Sequence, residues 1–462
     1  MIDQETSATV VGAPSRRRWA VLAVLAAVAF MAQLDLFIVN IALPAMARSF
    51  DQSGLNDLSW VLNAYAITFA ALLVPMGRLA DHVGRRRLLL IGVAVFVVAS
   101  VICAVAPTLP VLVIGRILQA AGGAMIVPTS LGLLYPSFPK NEHTLVVGIW
   151  AGVAAVAAAS GPTVGGLLVE FDWRWIFLIN VPIGAATIVA GLRLLPESRA
   201  GDGARLPDVV SVISLVVGLA LLTFALVQSS VWGWADARTL SLLAVAVAAG
   251  IVTLRRSIVH PHALIEARLF QSRQFTVATV ALFLFFLAFS AWLLLTVLLL
   301  QDVWHYGVIQ AGLAIAPGPI MSGLLAVNAG RITARFGRRN TAMVGTLLVA
   351  AAGLFWFLVT PSHPDYVAGL LPGLIVAGSG VGMTQAPLFA TASTLPPDRS
   401  TTGSAVLNMS RQVGSAIGVA VLVTLLAAGD GFDGYRNGFL FIVIAALVSS
   451  ASLAAERLSP QA

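Results

Sequence analysis

Charge is what this chain has least of. Only 10% of its 462 residues are Asp, Glu, Lys or Arg, against about 25% in an ordinary soluble domain. With 59% hydrophobic residues and a mean hydropathy of +0.94, it carries more apolar surface than a water-soluble core can hide. A bilayer removes that difficulty. Cysteine is nearly absent: Cys103 stands alone, which excludes an intrachain disulfide and leaves no thiol cluster for a metal or redox centre. It reads as a small side chain facing lipid or another helix. All six histidines lie in loops or at the ends of apolar runs, with no metal-like spacing. The longest polar stretches, 1–17, 196–208 and 256–274, are too short to form a soluble domain; the last is expected to be a short interfacial segment. Strand-type alternation is missing, which argues against a β-barrel. No apolar run groups His, Asp and Ser at catalytic spacing, so enzymatic activity is not expected.

What the chain does have is apolar runs of the length that crosses a bilayer, about 20 residues each. They fall near 18–45, 58–79, 88–107, 111–134, 144–170, 175–195, 209–228, 238–255, 275–302, 309–332, 341–360, 366–390, 402–428 and 435–454. Gly and Pro recur inside them, as membrane helices tolerate. The net charge of +7 could mean nucleic acid, but its placement points elsewhere. With the N-terminus inside, 21 of the 27 Lys and Arg fall on inner loops and tails. That asymmetry is a topology signal and puts both termini in the cytoplasm. Arg16, Arg17 and Arg18 before the first run, and Ala45-Met46-Ala47 after it, resemble a signal peptide. The run is too long for an apolar signal region of about 7–15 residues, so it reads as an uncleaved span.

The chain also repeats. Gly77 to Arg87 reads G-R-L-A-D-H-V-G-R-R-R, and Gly330 to Asn340 reads G-R-I-T-A-R-F-G-R-R-N. If these loops correspond, the last six spans repeat the first six. The expected architecture is all-α: a tail over 1–17, a six-helix bundle over 18–195, a linker with two extra spans over 196–274, a second bundle over 275–454 and a tail over 455–462. Parallel halves of this kind place a substrate site between them near the midplane.

Against this apolar background a few polar residues stand out. Asp35 is the one acidic residue at mid-membrane depth, which makes it the natural proton carrier. It lies about 24 Å up a core of about 30 Å. Arg116, with Gln119 on the same face three residues on, lies about 8 Å from the outer end of the fourth span and could meet Asp35 at that depth. Gly77, Asp81, Gly84, Arg85 and Arg86 form a candidate cytoplasmic latch: Asp81 can accept from an Arg or from free helix N–H groups. Ala334 replaces that Asp in the second copy. Gly148, Gly161, Pro162, Gly165 and Gly166 make the fifth span a candidate hinge. Ser404, Asn408, Arg411 and Ser415 form one polar stripe on the thirteenth span, flanked by Gln412, and such a stripe should face a wet cavity. Phe286, Phe289 and Trp292 in the ninth span read either as an aromatic cavity wall or as lipid contacts. Trp60, Asn63 and Tyr65 in the second span are further cavity candidates.

Together these residues resemble the major facilitator superfamily, specifically its drug:proton antiporter branch with fourteen transmembrane spans. Leu34 to Pro44 resembles that branch's first-helix signature and adds Asn40 to the cavity candidates. Gly77 to Arg87 resembles the loop 2–3 motif, Arg116 and Gln119 the fourth-helix motif, and Gly161-Pro162 with Gly165-Gly166 the exporter motif. Trp173 to Pro182 and Asn408 to Gly418 also resemble this branch. Ala120 and Ala157 stand where those motifs carry Gly. The resemblance implies export of hydrophobic or amphiphilic small molecules by alternating access, driven by the proton motive force, with no cofactor and no metal. The partners it implies are substrate, protons and membrane lipid, with no nucleic acid and a monomer as the working unit. One Lys against 26 Arg and abundant Ala point to a high-GC bacterium and its cytoplasmic membrane. A lipid or glycolipid transporter on the same fold, or an uptake symporter, are the rival readings. Asp35→Asn is expected to abolish proton-coupled efflux with folding intact.

Overall fold

In a computed structural model of the protein the described residues are 15–50, 55–198, 208–260, 264–265, 267–396, 399–429 and 431–455. Among them all regular structure is helical. The first half contains α1 (Ser15–Ser49), α2 (Leu55–Val83), α3 (Arg85–Ala104), α4 (Leu109–Ser137) and α5 (His143–Phe171), then a broken element, α6 (Trp175–Leu178) and α7 (Asn180–Leu194). The linker supplies α8 (Val209–Trp232) and α9 (Ala237–Val259). The second half contains α10 (Arg273–Leu298), α11 (Val308–Ile315), α12 (Pro317–Phe336), α13 (Arg338–Val359), α14 (Tyr366–Gly369), α15 (Leu371–Phe389), α16 (Ser400–Ala428) and α17 (Asp433–Ala454).

Local chemistry sets several of these boundaries. Asp208 and Asp236 each accept from a backbone N–H in the first turn of the helix that follows, capping α8 and α9. Proline at the start of α12 and of α15 supplies the fixed φ that a first turn needs. The two repeated loops turn on matching glycines, Gly84 at φ 119° and Gly337 at φ 82°. A side chain is disfavoured at such angles, so each repeat needs Gly there.

Thirteen of these elements are long and apolar enough to cross a membrane. Of the fourteen predicted runs, the one outside that set is 144–170. It falls in the 29-residue α5, where several side chains, Pro162 and Thr163 among them, lie outside the described residues. The predicted runs at 175–195, 309–332 and 366–390 are each interrupted, as α6/α7, α11/α12 and α14/α15.

Packing follows the sequence repeat. The pairs α1–α5, α2–α4, α3–α4 and α3–α7 of the first half correspond to α10–α16, α12–α15, α13–α15 and α13–α17 of the second. The halves meet where α2 lies against α16 and α5 against α12, which are the same pair with roles exchanged. The linker helices pair with each other, and α8 also lies against α2 and α16. Helix α9 is barely buried; Val245, Val247, Ile251 and Leu254 are exposed on it, as suits a surface facing lipid. Glycines bring the halves to backbone contact. A Cβ on Gly77 would strike Ala405, one on Gly132 would strike Thr401, and one on Gly148 would strike the Ala326 carbonyl. These contacts lie at the arginine-rich end of the molecule, so the space between the halves is closed there.

Candidate transport site

Asp35 lies in the interior of the first bundle, fully buried and away from lipid. Every hydrogen-bond partner of its side chain is a donor. Arg116 Nη1 donates to Oδ2 at 2.6 Å, and Oδ1 accepts from Gln119 Nε2 at 2.7 Å and from Asn180 Nδ2 at 3.0 Å. Arg116 is fully buried as well. It donates Nε to the Val61 carbonyl at 3.0 Å and Nη1 to Gln119 Oε1 at 2.6 Å. Its guanidinium lies 4.3 Å from the centre of the Tyr65 ring, a desolvated cation–π contact. Ser100 Oγ accepts from Gln119 and Asn180 and donates to its own helix at Phe96 O. Two polar atoms in this group, Arg116 Nη2 and Asn180 Oδ1, are buried without a hydrogen-bond partner.

This network joins α1, α2, α3, α4 and α7, all from one half. An ionised carboxylate suits it, because three donors face two acceptor oxygens. Protonation would turn an acceptor into a donor among donors and weaken the Arg116 pair. The predicted Asp35–Arg116 pairing is present, and Gln119 joins it. Asn180 and Ser100 were not anticipated as members. Asn180 had a signal, being an amide inside a predicted span; Ser100 had none.

The latch residues also come together, with a partner from the other half. Asp81 is buried. Its Oδ1 accepts from Arg85 Nε at 3.0 Å and Nη2 at 2.8 Å. Its Oδ2 accepts from the Thr402 backbone N–H at 3.0 Å and hydroxyl at 2.8 Å. Thr402 belongs to the first turn of α16, so Asp81 satisfies one free N–H group at the positive end of a helix in the opposite bundle. Arg85 also donates to the Gly132 carbonyl and Ser198 Oγ. Arg86 donates Nη2 to the Leu192 carbonyl, and its backbone N–H, with that of Arg87, donates to the Glu197 carboxylate. Glu197 packs against Gly84, where a Cβ would strike it. A second tie across the halves runs from Tyr135 O–H to the Phe389 carbonyl at 3.0 Å.

The remaining candidates divide. Phe286 and Trp292 are buried, Phe289 is half-buried, and their rings lie edge to face, with Trp292 stacked on Trp356 at 5.7 Å. Phe286 and Trp292 thus lie in the interior of the second bundle, with Phe289 partly exposed. Asn408 is buried, donates to the Ser404 carbonyl and leaves Oδ1 without a partner. Arg411 lies over Phe286, 5.8 Å from the ring centre; Gln412 beside it is half-buried. Trp60 faces Phe224 of the linker helix α8 at 5.5 Å, and α8 fills that flank. Asn63 is half-buried. The side chains of Asn40 and Pro162 lie outside the described residues. Gly148 sits at the α5–α12 contact, whereas Gly166 has open space around it. Gly161 and Gly165 are buried in an unbroken α5. Two cavities lie at the arginine-rich end: one of about 280 Å³ in the second half, lined by Arg338 and Thr391 among others, and one of about 510 Å³ between the halves, lined by His143 and Thr144 on one side and Arg338 and Thr394 on the other. Neither touches Asp35. Among the described residues no cluster of His, Cys, Asp and Glu could hold a metal ion.

Two pseudo-equivalent helical bundles, the first enclosing a buried ion pair, define a secondary-transporter fold. The Major Facilitator Superfamily model matches residues 25–419, and the chain belongs to that superfamily. It is 36% identical to the methylenomycin A resistance protein of Streptomyces coelicolor over 91% of this chain and 89% of that one. It is 34% identical to the tetracenomycin C resistance and export protein of Streptomyces glaucescens, over 90% and 78%. It is 33% identical to the multidrug efflux pump LfrA of Mycolicibacterium smegmatis, over 91% and 84%. Among solved structures the human organic anion transporter MFSD10 superposes with a TM-score of 0.69 at 15% identity, over 96% of this chain and all of that one; at that identity the likeness is one of fold.

Proposed function

We propose that this protein is a proton-driven exporter of hydrophobic or amphiphilic small molecules, with fourteen spans and both termini in the cytoplasm of a bacterial cell. The relatives named for antibiotic resistance and export support the export reading. The observation that carries the mechanism is the Asp35 cage, a carboxylate held by Arg116, Gln119 and Asn180 in the interior of one moving half. The arginine-rich end is then cytoplasmic, and the Asp81–Thr402 latch closes it. A proton arriving from outside neutralises Asp35 and frees Arg116 from it. The first bundle then changes its packing, the latch opens, and substrate enters from the cytoplasm or inner leaflet. Substrate binding favours proton loss inward, and the latch closes again. Each elementary charge crossing the potential contributes about 2.3 kcal/mol per 100 mV. Everted vesicles offered dyes, antibiotics and fluorescent lipids, with and without a protonophore, test this. Protonophore-sensitive uptake of dyes or antibiotics is expected. Movement of lipids alone would replace the reading with a lipid transporter.

A further inference from the structure

Arg411 is the odd cation of this molecule. It lies 11 residues into the 29-residue α16, about 17 Å from one helix end and farther from the other. Its side chain is too short to snorkel to either surface from that depth. Asp35 has a basic partner and two amide donors; Arg411 has no hydrogen-bond or ion-pair partner among the described residues, and its Nε is buried and unpaired. Its one described contact is the Phe286 ring. From Phe286 a run of rings leads through Phe289 to Trp292, with centroids 5.3 and 5.7 Å apart. The indole N–H of Trp292 is a second buried donor without an acceptor. An uncompensated guanidinium at mid-membrane is expensive unless something supplies the counter-charge.

We propose that Arg411 holds the acidic group of the transported molecule and that the Phe286–Phe289–Trp292 run takes its aromatic body. The substrate class is then an aromatic or polycyclic organic anion, and Arg411 discriminates against cations. This rests on the export reading and narrows it. No carboxylate pairs with Arg411 among the described residues, and the unpaired acceptor nearest it on the same helix, Asn408 Oδ1, carries no charge. Permanently cationic drugs would meet a like charge.

The test uses full-length protein in lipid nanodiscs and three probes of one shape: 1-naphthoate, 1-naphthylmethanol and 1-naphthylmethylammonium. Empty nanodiscs correct for partition into lipid. The anion should bind at least about tenfold more tightly than the neutral probe, as a charge-assisted hydrogen bond warrants, and the cation most weakly. In Arg411→Gln the anion-to-neutral ratio should fall to within about twofold, and in Arg411→Lys, which keeps a point charge without the fork, it should lie between. Arg411 is half-buried with its Nε buried and unpaired, so Arg411→Gln removes a partly desolvated cation without a partner and its thermal midpoint should equal or exceed that of the parent. Equal affinities in the parent, or a ratio unmoved by Arg411→Gln, would overturn the assignment. Flux of the same probes in proteoliposomes under a pH gradient separates the two readings. Proton-driven flux without anion preference would sink the Arg411 assignment alone. Anion-selective binding without proton-driven flux of any probe would sink the export reading and leave the site standing.

Discussion

Replacing Asp35 by Asn changes one oxygen into an NH2 group in a cage made of donors. Gln119 and Asn180 both donate to Oδ1, so the amide oxygen is best placed there. The new NH2 then faces Arg116 Nη1, which donated to Oδ2 at 2.6 Å in the parent, and two donors oppose each other. Arg116 is left as a buried cation without its carboxylate. Breaking one side of a buried ion pair costs about 3–5 kcal/mol, whereas removing both charges together costs far less. The structure therefore revises the expectation that folding stays intact. Asp35→Asn should lower the thermal midpoint clearly, Arg116→Gln should do so comparably, and the double variant should be more stable than the sum of the two losses allows. Coupling behaves differently: pH-gradient-driven transport in proteoliposomes should be lost in Asp35→Asn and stay lost in the double variant. Additive stability losses would refute the geometric argument. Full gradient-driven transport by Asp35→Asn would refute the coupling role.

Other outcomes follow from the same geometry. Asp81→Asn should open the latch: in a Cys103→Ser background, Thr401→Cys, which replaces a fully buried residue at the bundle contact, should react slowly with a membrane-impermeant maleimide and rapidly once Asp81 is changed. Equal rates would exclude the latch role. Gly77→Val should jam the α2–α16 contact and hold the arginine-rich end open, because even a Cβ there strikes Ala405; the same labelling at Thr401→Cys reads it. His143, at the start of α5, donates Nε2–H to the Tyr135 and Phe138 carbonyls at 2.9 Å each and leaves Nδ1 bare. Burial holds its pKa below the usual value, with Lys140 and Arg338 adding repulsion. The unfolded chain thus binds the proton first as pH falls, so stability is full above about pH 6.5 and declines below it; His143→Gln should flatten that decline in a pH series of thermal midpoints. Asp208 works at lower pH: the hydrogen bonds from Arg256 hold its carboxyl well below the usual carboxylate range. Its contribution is present above about pH 4 and is lost as pH falls further. Asp208→Asn should remove that part of the acid dependence.

Residues that are costly in hydrocarbon were the legible ones. Asp35 and Arg116 stood out because charge inside an apolar run is rare, and helix rise alone put them at comparable depth. Asp81 and its loop stood out because they recur, changed, in the second half. Ser100 was illegible: a single hydroxyl in a helix normally bonds its own backbone, and this one does so as well. Thr402 was illegible because its tie to Asp81 spans 321 residues and depends on how the halves dock. One aromatic at helical spacing does not reveal which neighbour it faces; for Trp60 a neighbour is Phe224 of the inserted pair. The aromatic run of α10 is ambiguous in sequence because helical spacing does not say which neighbour a ring faces; in the structure α13 lies behind Trp292, and Phe286 is buried with it.

The direct measurement is the protonation of Asp35 itself. Infrared difference spectra of the protein in lipid nanodiscs, recorded as pH is lowered, should show a protonated carboxyl band that grows in over the range where transport couples to the gradient and is missing from Asp35→Asn. A carboxylate that stays ionised throughout that range would contradict the account.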